Sequence, residues 1–107
     1  MTTDLVLVLS NLPAADADRI ATAVVEARLA ACVSLSPVRS VYRWQGALER
    51  ADEVQATCKT TAAGAAALIE CLRGLHPYQV PEILVVPISA GHAPYLAWVE
   101  AEVAART

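Results

Sequence analysis

The chain has 107 residues and a net charge of −3, so one domain spanning residues 1–107 with one core is expected. No basic run is present, which argues against a nucleic-acid backbone as partner. With 56% hydrophobic residues and a mean hydropathy of +0.44, so small a domain carries more apolar surface than it can hide alone, and contacts between subunits are expected.

No segment reads as a signal peptide or a membrane span, since the apolar run Leu5–Leu9 is too short and follows Asp4 rather than a basic stretch. The three cysteines, Cys32, Cys58 and Cys71, are widely spaced and odd in number, neither a disulfide framework nor a zinc pattern. They read as small buried hydrophobes in a reducing, cytoplasmic setting.

Leu5–Leu9 is an unbroken apolar run, as expected of a strand covered on both faces in the middle of a sheet, ended by Ser10-Asn11-Leu12-Pro13. Asp16 and Asp18 mark a helix start, and the helix is expected to run to about Ala31 with Ile20, Ala23, Val24 and Ala27 inward. From Cys32 to Thr60 two extended runs meet near Gln45-Gly46, the pattern of a long hairpin. The second run alternates, with Val54, Ala56 and Cys58 on one face and Gln55, Thr57 and Lys59 on the other. Pro37 makes the first run an edge strand, and the shift of apolar phase around it predicts a bulge.

At about 3.3 Å per residue each arm approaches 40 Å, whereas a domain of this size has a radius of gyration of about 13 Å. The ribbon should overhang its own body and carry Tyr42 and Trp44 toward another subunit.

A second helix is expected over Thr60–Leu75, with Leu68, Ile69, Leu72 and Leu75 inward. His76-Pro77-Tyr78-Gln79-Val80-Pro81 cannot be helical. Glu82–Ser89 reads as a strand that Pro87 confines to an edge, Gly91-His92-Ala93 as a loop, and Pro94 as the first turn of a last helix with Tyr95, Leu96, Val99 and Val103 inward. The order β-α-β-β-α-β plus a C-terminal helix fits an α+β, ferredoxin-like fold with an antiparallel sheet of order 4-1-3-2 and a long hairpin between its second and third strands. That order puts the two proline-bearing strands at the edges.

His76 reads first as a turn residue hydrogen-bonded to backbone, although imidazole suits copper, nickel or zinc. Lys59 needs a partner, with Glu53 and Glu82 as natural choices. Tyr42 and Trp44 read as interface anchors. The sequence has no nucleophile elbow and no phosphate-binding loop, and Cys32 has no basic neighbour close in sequence, so no enzyme template applies.

Arg28-Leu29-Ala30-Ala31-Cys32, Ser40-Val41-Tyr42-Arg43-Trp44-Gln45-Gly46 with Glu49, Glu53 and Lys59-Thr60, His76 through Glu82, and Tyr95-Leu96-Ala97-Trp98 together resemble the CutA divalent-cation-tolerance family over nearly the whole chain. The resemblance implies a non-enzymatic homotrimer with hairpins packed on neighbouring subunits, a link to copper and other divalent cations, and an architecture similar to PII signalling proteins. It also implies ligand sites in clefts between subunits near Tyr42, Trp44, Glu53, Lys59, Tyr78 and Glu82, for a divalent cation or, in a PII-like alternative, a small anionic metabolite. Some relatives bind copper through a cysteine after the first strand and a His-His pair. Here those positions hold Ser10 and Leu75-His76, leaving His76, with Cys32 as a further thiol.

Overall fold

The computed structural model describes residues 3–104; residues 1–2 and 105–107 of the expected domain lie outside them. The elements follow in the order β1 (Leu5–Leu12), α1 (Ala14–Glu26), β2 (Cys32–Trp44), β3 (Ala47–Thr61), α2 (Ala65–Leu75), β4 (Ile83–Pro87) and α3 (Ala93–Ala104). The sheet is antiparallel with order β2-β3-β1-β4, which is the expected order read from the other edge.

The core lies between the sheet and the helices α1 and α2. Val6, Val8 and Leu12 of β1 and Ala56 and Cys58 of β3 meet Ala17, Ile20 and Val24 of α1 and Leu68 and Leu72 of α2. Each buried Leu or Ile contributes about 2 kcal/mol by leaving water. The other face of the sheet is only partly covered. There α3 lays Val99 and Val103 over Leu5 and Ala31, while Leu7 and Leu9 are half-buried, so the first strand is not enclosed on both sides within this chain. Tyr95, expected to face inward, lies exposed against Trp98, their rings 5.6 Å apart.

Several boundaries differ from expectation, each for a local reason. β1 continues to Leu12 because Asn11 and Leu12 pair with Gln55 and Val54. α1 stops at Glu26, short of Ala31. The Leu29 and Arg28 amides donate to the Val24 and Val25 carbonyls, both at 3.0 Å, and Arg28 takes a φ of 60°. This is a Schellman stop with arginine where glycine is usual. α2 begins at Ala65 because Thr60 and Thr61 complete β3 against Val6 and Leu5. β4 is shorter than Glu82–Ser89 and pairs only along Val6–Ser10 of β1.

The hairpin contains no bulge. Pairing between β2 and β3 runs unbroken from Cys32 with Lys59 to Trp44 with Ala47, and Pro37 lies opposite Val54. An edge position alone accommodates the missing N–H. The shift of apolar phase is still real, but it is a change of face. Val33 and Leu35 share the helix-side face with Cys58 and Ala56, whereas Val38, Tyr42 and Trp44 lie on the opposite face. Beyond Val54 the ribbon leaves β1, and its apolar side turns away from the helices. With φ of 50° at Gln45 and 83° at Gly46, the turn has the two positive values of a type I′ hairpin. The ribbon gives the molecule a long axis of 44 Å against 26 and 21 Å across.

Candidate functional site

Because β4 leaves β1 after Ser10, the end of β1 is met instead by the loop of residues 76–82. His76 locks that loop down. Its Nε2 lies 2.8 Å from the Asn11 carbonyl and its Nδ1 accepts the Tyr78 amide at 3.2 Å. An amide can only donate, so Nδ1 is the acceptor and the proton sits on Nε2, donating to Asn11. The Asn11 side chain reaches across to Gln55 at 3.2 Å, joining loop, β1 and β3.

This anchoring sets Tyr78 beside the root of the ribbon, where its hydroxyl donates to Glu53 Oε2 at 2.9 Å. Burial first, then the hydrogen bond and charge of Glu53, push the Tyr78 phenol up to about 12, so it stays a donor through the physiological range. Glu53 is only 7% exposed, and no cationic side chain pairs with it among the described residues. A buried carboxylate without a counter-charge is costly.

Around this pair opens a cleft of about 630 Å³, lined by Asn11 and Glu53, by Ser40, Tyr42 and Trp44 of the ribbon and by Tyr78, Gln79, Val80 and Glu82 of the loop. Tyr42 is 44% exposed and Trp44 39%. Five of the six residues expected to form a cleft therefore come together: Tyr42, Trp44, Glu53, Tyr78 and Glu82. Asn11, Ser40 and Gln79 line the same cleft without having been singled out. For Asn11 the sequence carried no signal: Leu5–Leu9 is apolar throughout, and the turn-like Ser-Asn-Leu-Pro sequence hid the continuation of the strand.

Lys59 is elsewhere. It pairs with Leu7 and Cys32 near the far end of the sheet, where its ammonium donates to Ser34 Oγ and lies 3.8 Å from Cys32 Sγ. The expected ion pair with Glu53 or Glu82 is not formed. Glu53 is six positions back on the same strand, about 20 Å away at strand rise, beyond the reach of both side chains. The cation missing beside Cys32 in the sequence is thus supplied across the strand pair. Tyr95 closes this cluster, its phenol raised by burial and by Cys32. Cys58 faces the core, where desolvation pushes its thiol up to about 11.

The CutA1 divalent ion tolerance protein family matches residues 6–102. The chain belongs to that family. It is 44% identical over 101 residues to the divalent-cation tolerance protein CutA of Escherichia coli O45:K1 (strain S88), covering 94% of this chain and 90% of that protein. The CutA structure from Xylella fastidiosa superimposes with a TM-score of 0.91 at 41% identity, covering 94% of this chain and 99% of the other. The CutA of Nostoc sp. PCC 7120, described as PII-like, follows at 0.89 and 35%, covering 92% and 96%.

A copper centre of CutA type would draw on nitrogen and sulfur donors, and the described residues of this chain do not assemble one. Both His76 nitrogens are already engaged, Cys32 sits with Lys59 at the other end of the sheet, and Ser10 points into the core. Among the described residues, no three His, Cys, Asp or Glu side chains gather as a metal-binding group.

Proposed function

We propose that the chain acts as a homotrimer in divalent-cation tolerance, as a cytoplasmic binding protein rather than an enzyme, and that the cleft at the root of its ribbon is the ligand site. Membership of the CutA family supports the role. The ribbon supports the assembly: its apolar face is turned away from its own helices, and the exposed Arg39–Asp52 ion pair adds little to it. The observation that carries the ligand site is Glu53, a buried carboxylate held toward the cleft by Tyr78. With Glu82 also in the lining and neither lysine nor arginine there, the cleft selects positive charge. Its oxygen donors favour hard divalent ions over copper, and two carboxylates alone bind such an ion weakly.

A second reading, a PII-like module for a small anionic metabolite, draws on the likeness to the Nostoc protein. Its counter-charge, Lys59, faces Ser34 and Cys32 and does not line the cleft, so an anion would have to bind there instead. Calorimetry separates the two. The expected result is weak, saturable heat with magnesium or manganese chloride, lost in Glu53→Gln and retained in His76→Ala. Copper heat abolished by His76→Ala would contradict the site. Silence toward divalent ions, with a metabolite response lost in Lys59→Met, would favour the anion module.

A further inference from the structure

Cys32 sits in a setting where thiols react. Its side chain is half-buried rather than enclosed, and the Lys59 ammonium lies 3.8 Å from its sulfur. Reactive cysteines combine access to water with a cation at hand. The Lys59 ammonium also donates to Ser34, and no carboxylate pairs with it among the described residues. It is therefore not tied up in an ion pair.

The contact is built into the sheet. Register puts Cys32 directly opposite Lys59 on β2 and β3. Residues so placed in an antiparallel pair stand about 4.5–5.5 Å apart at Cβ, so the ladder itself holds sulfur and nitrogen together. No other thiol shares that face. Cys58 alternates to the opposite side of β3 and is sealed in the core, and Cys71 lies on α2 behind it. The second thiol that ordinarily resolves an oxidised cysteine is replaced here by an amine. The pair is also clear of the part of the ribbon that meets other copies, since Cys32 and Trp44 are the two ends of β2, about 40 Å apart at strand rise.

We propose that Cys32 and Lys59 form a peroxide-responsive modification site, in which the lysine captures oxidised Cys32 as a covalent sulfur–nitrogen crosslink between β2 and β3. In the first step sulfur attacks hydrogen peroxide and the O–O bond breaks. Sulfur is oxidised to a sulfenic acid by the two electrons that reduce the peroxide, and the thiol proton leaves with the expelled hydroxide as water. Lys59 Nζ, having given one proton to water, then attacks the sulfur. The S–O bond breaks, and the departing hydroxide takes a second proton from nitrogen and leaves as water. The product is a neutral sulfenamide, so this face of the sheet loses its cation. Glu53 takes no part, and the site stands or falls apart from the cleft.

The test is intact-mass measurement and peptide mapping of the full chain after graded hydrogen peroxide, with dimedone in a parallel sample. The expected product is lighter than the starting chain by two hydrogens, joins the Cys32 and Lys59 peptides, and returns to the starting mass with dithiothreitol. In Lys59→Met the joined species should vanish, and dimedone should label Cys32 instead. Lys59→Arg, which keeps the charge and removes the amine, should do the same and serves where the methionine variant fails to fold. Cys58→Ala should form the crosslink unchanged. A Cys32 that stays unmodified under peroxide that oxidises the urea-unfolded chain would overturn the proposal. So would an oxidised Cys32 with Lys59 still free, or a joined species that persists in Lys59→Met.

Discussion

Ser10 sits fully buried on the helix side of β1, and its hydroxyl has no hydrogen-bond partner among the described residues. A lone buried hydroxyl costs about 1–3 kcal/mol, so Ser10→Ala should raise stability by about 1 kcal/mol, read as a higher midpoint in urea unfolding. Arg28 makes the opposite case for caution. Its φ of 60° favours glycine, but its guanidinium also meets the Glu102 carboxylate and carbonyl, both at 3.1 Å. The ion pair is exposed and worth little, so Arg28→Gly should still gain about 1 kcal/mol from the backbone. Cys58 and Tyr78 predict the alkaline limb. Both bind their protons more tightly folded than unfolded, Cys58 up to about 11 from 9.0 and Tyr78 up to about 12 from 10.0. Their stabilisation is fully present below the unfolded values and is lost as pH rises through the folded ones. Unfolding midpoints should therefore fall across that window, and Cys58→Ala should flatten its lower part.

At the scale of elements, the hairpin turn is the most exposed to a single change. Gly46 holds a φ of 83°, which costs an L side chain about 1–2 kcal/mol, so Gly46→Ala should destabilise the ribbon by about that much in urea unfolding. Gln45 at 50° gains from Gln45→Asn for the same reason. The elements that were legible in the sequence are those whose apolar period had one dominant partner: the alternation of Val54 to Lys59, the stripe of Leu68 and Leu72, the prolines that confine β2 and β4 to the edges. What was not legible depended on backbone hydrogen bonds that side chains do not announce. Arginine in place of glycine hid the end of α1, and the pairing of Thr60 and Thr61 drew residues from the expected start of α2. The supposed bulge at Pro37 came from reading a change of burial partner as a change of register. In the cleft, the aromatic and acidic residues were visible as types, but the separation of Lys59 from them follows only from strand rise and register.

For the whole molecule, the central claim is that the ribbon's second apolar face is covered by other copies of this chain. Val38, Tyr42 and Trp44 share that face, and Val54 is the last residue of β3, going toward the turn, that pairs with β1. Beyond it the ribbon has only its own ladder, which is marginal in water without further burial. Aromatic anchors at such contacts cost about 2 kcal/mol or more when truncated, so Trp44→Ala should raise the dissociation constant of the assembly by well over tenfold while leaving the α1–α2 core intact. Sedimentation velocity of the full chain at high dilution tests the claim most directly. The account predicts a species of three times the 11.3 kDa chain mass, which falls apart earlier on dilution in Trp44→Ala. A stable monomer at every concentration, or a trimer indifferent to Trp44, would contradict it.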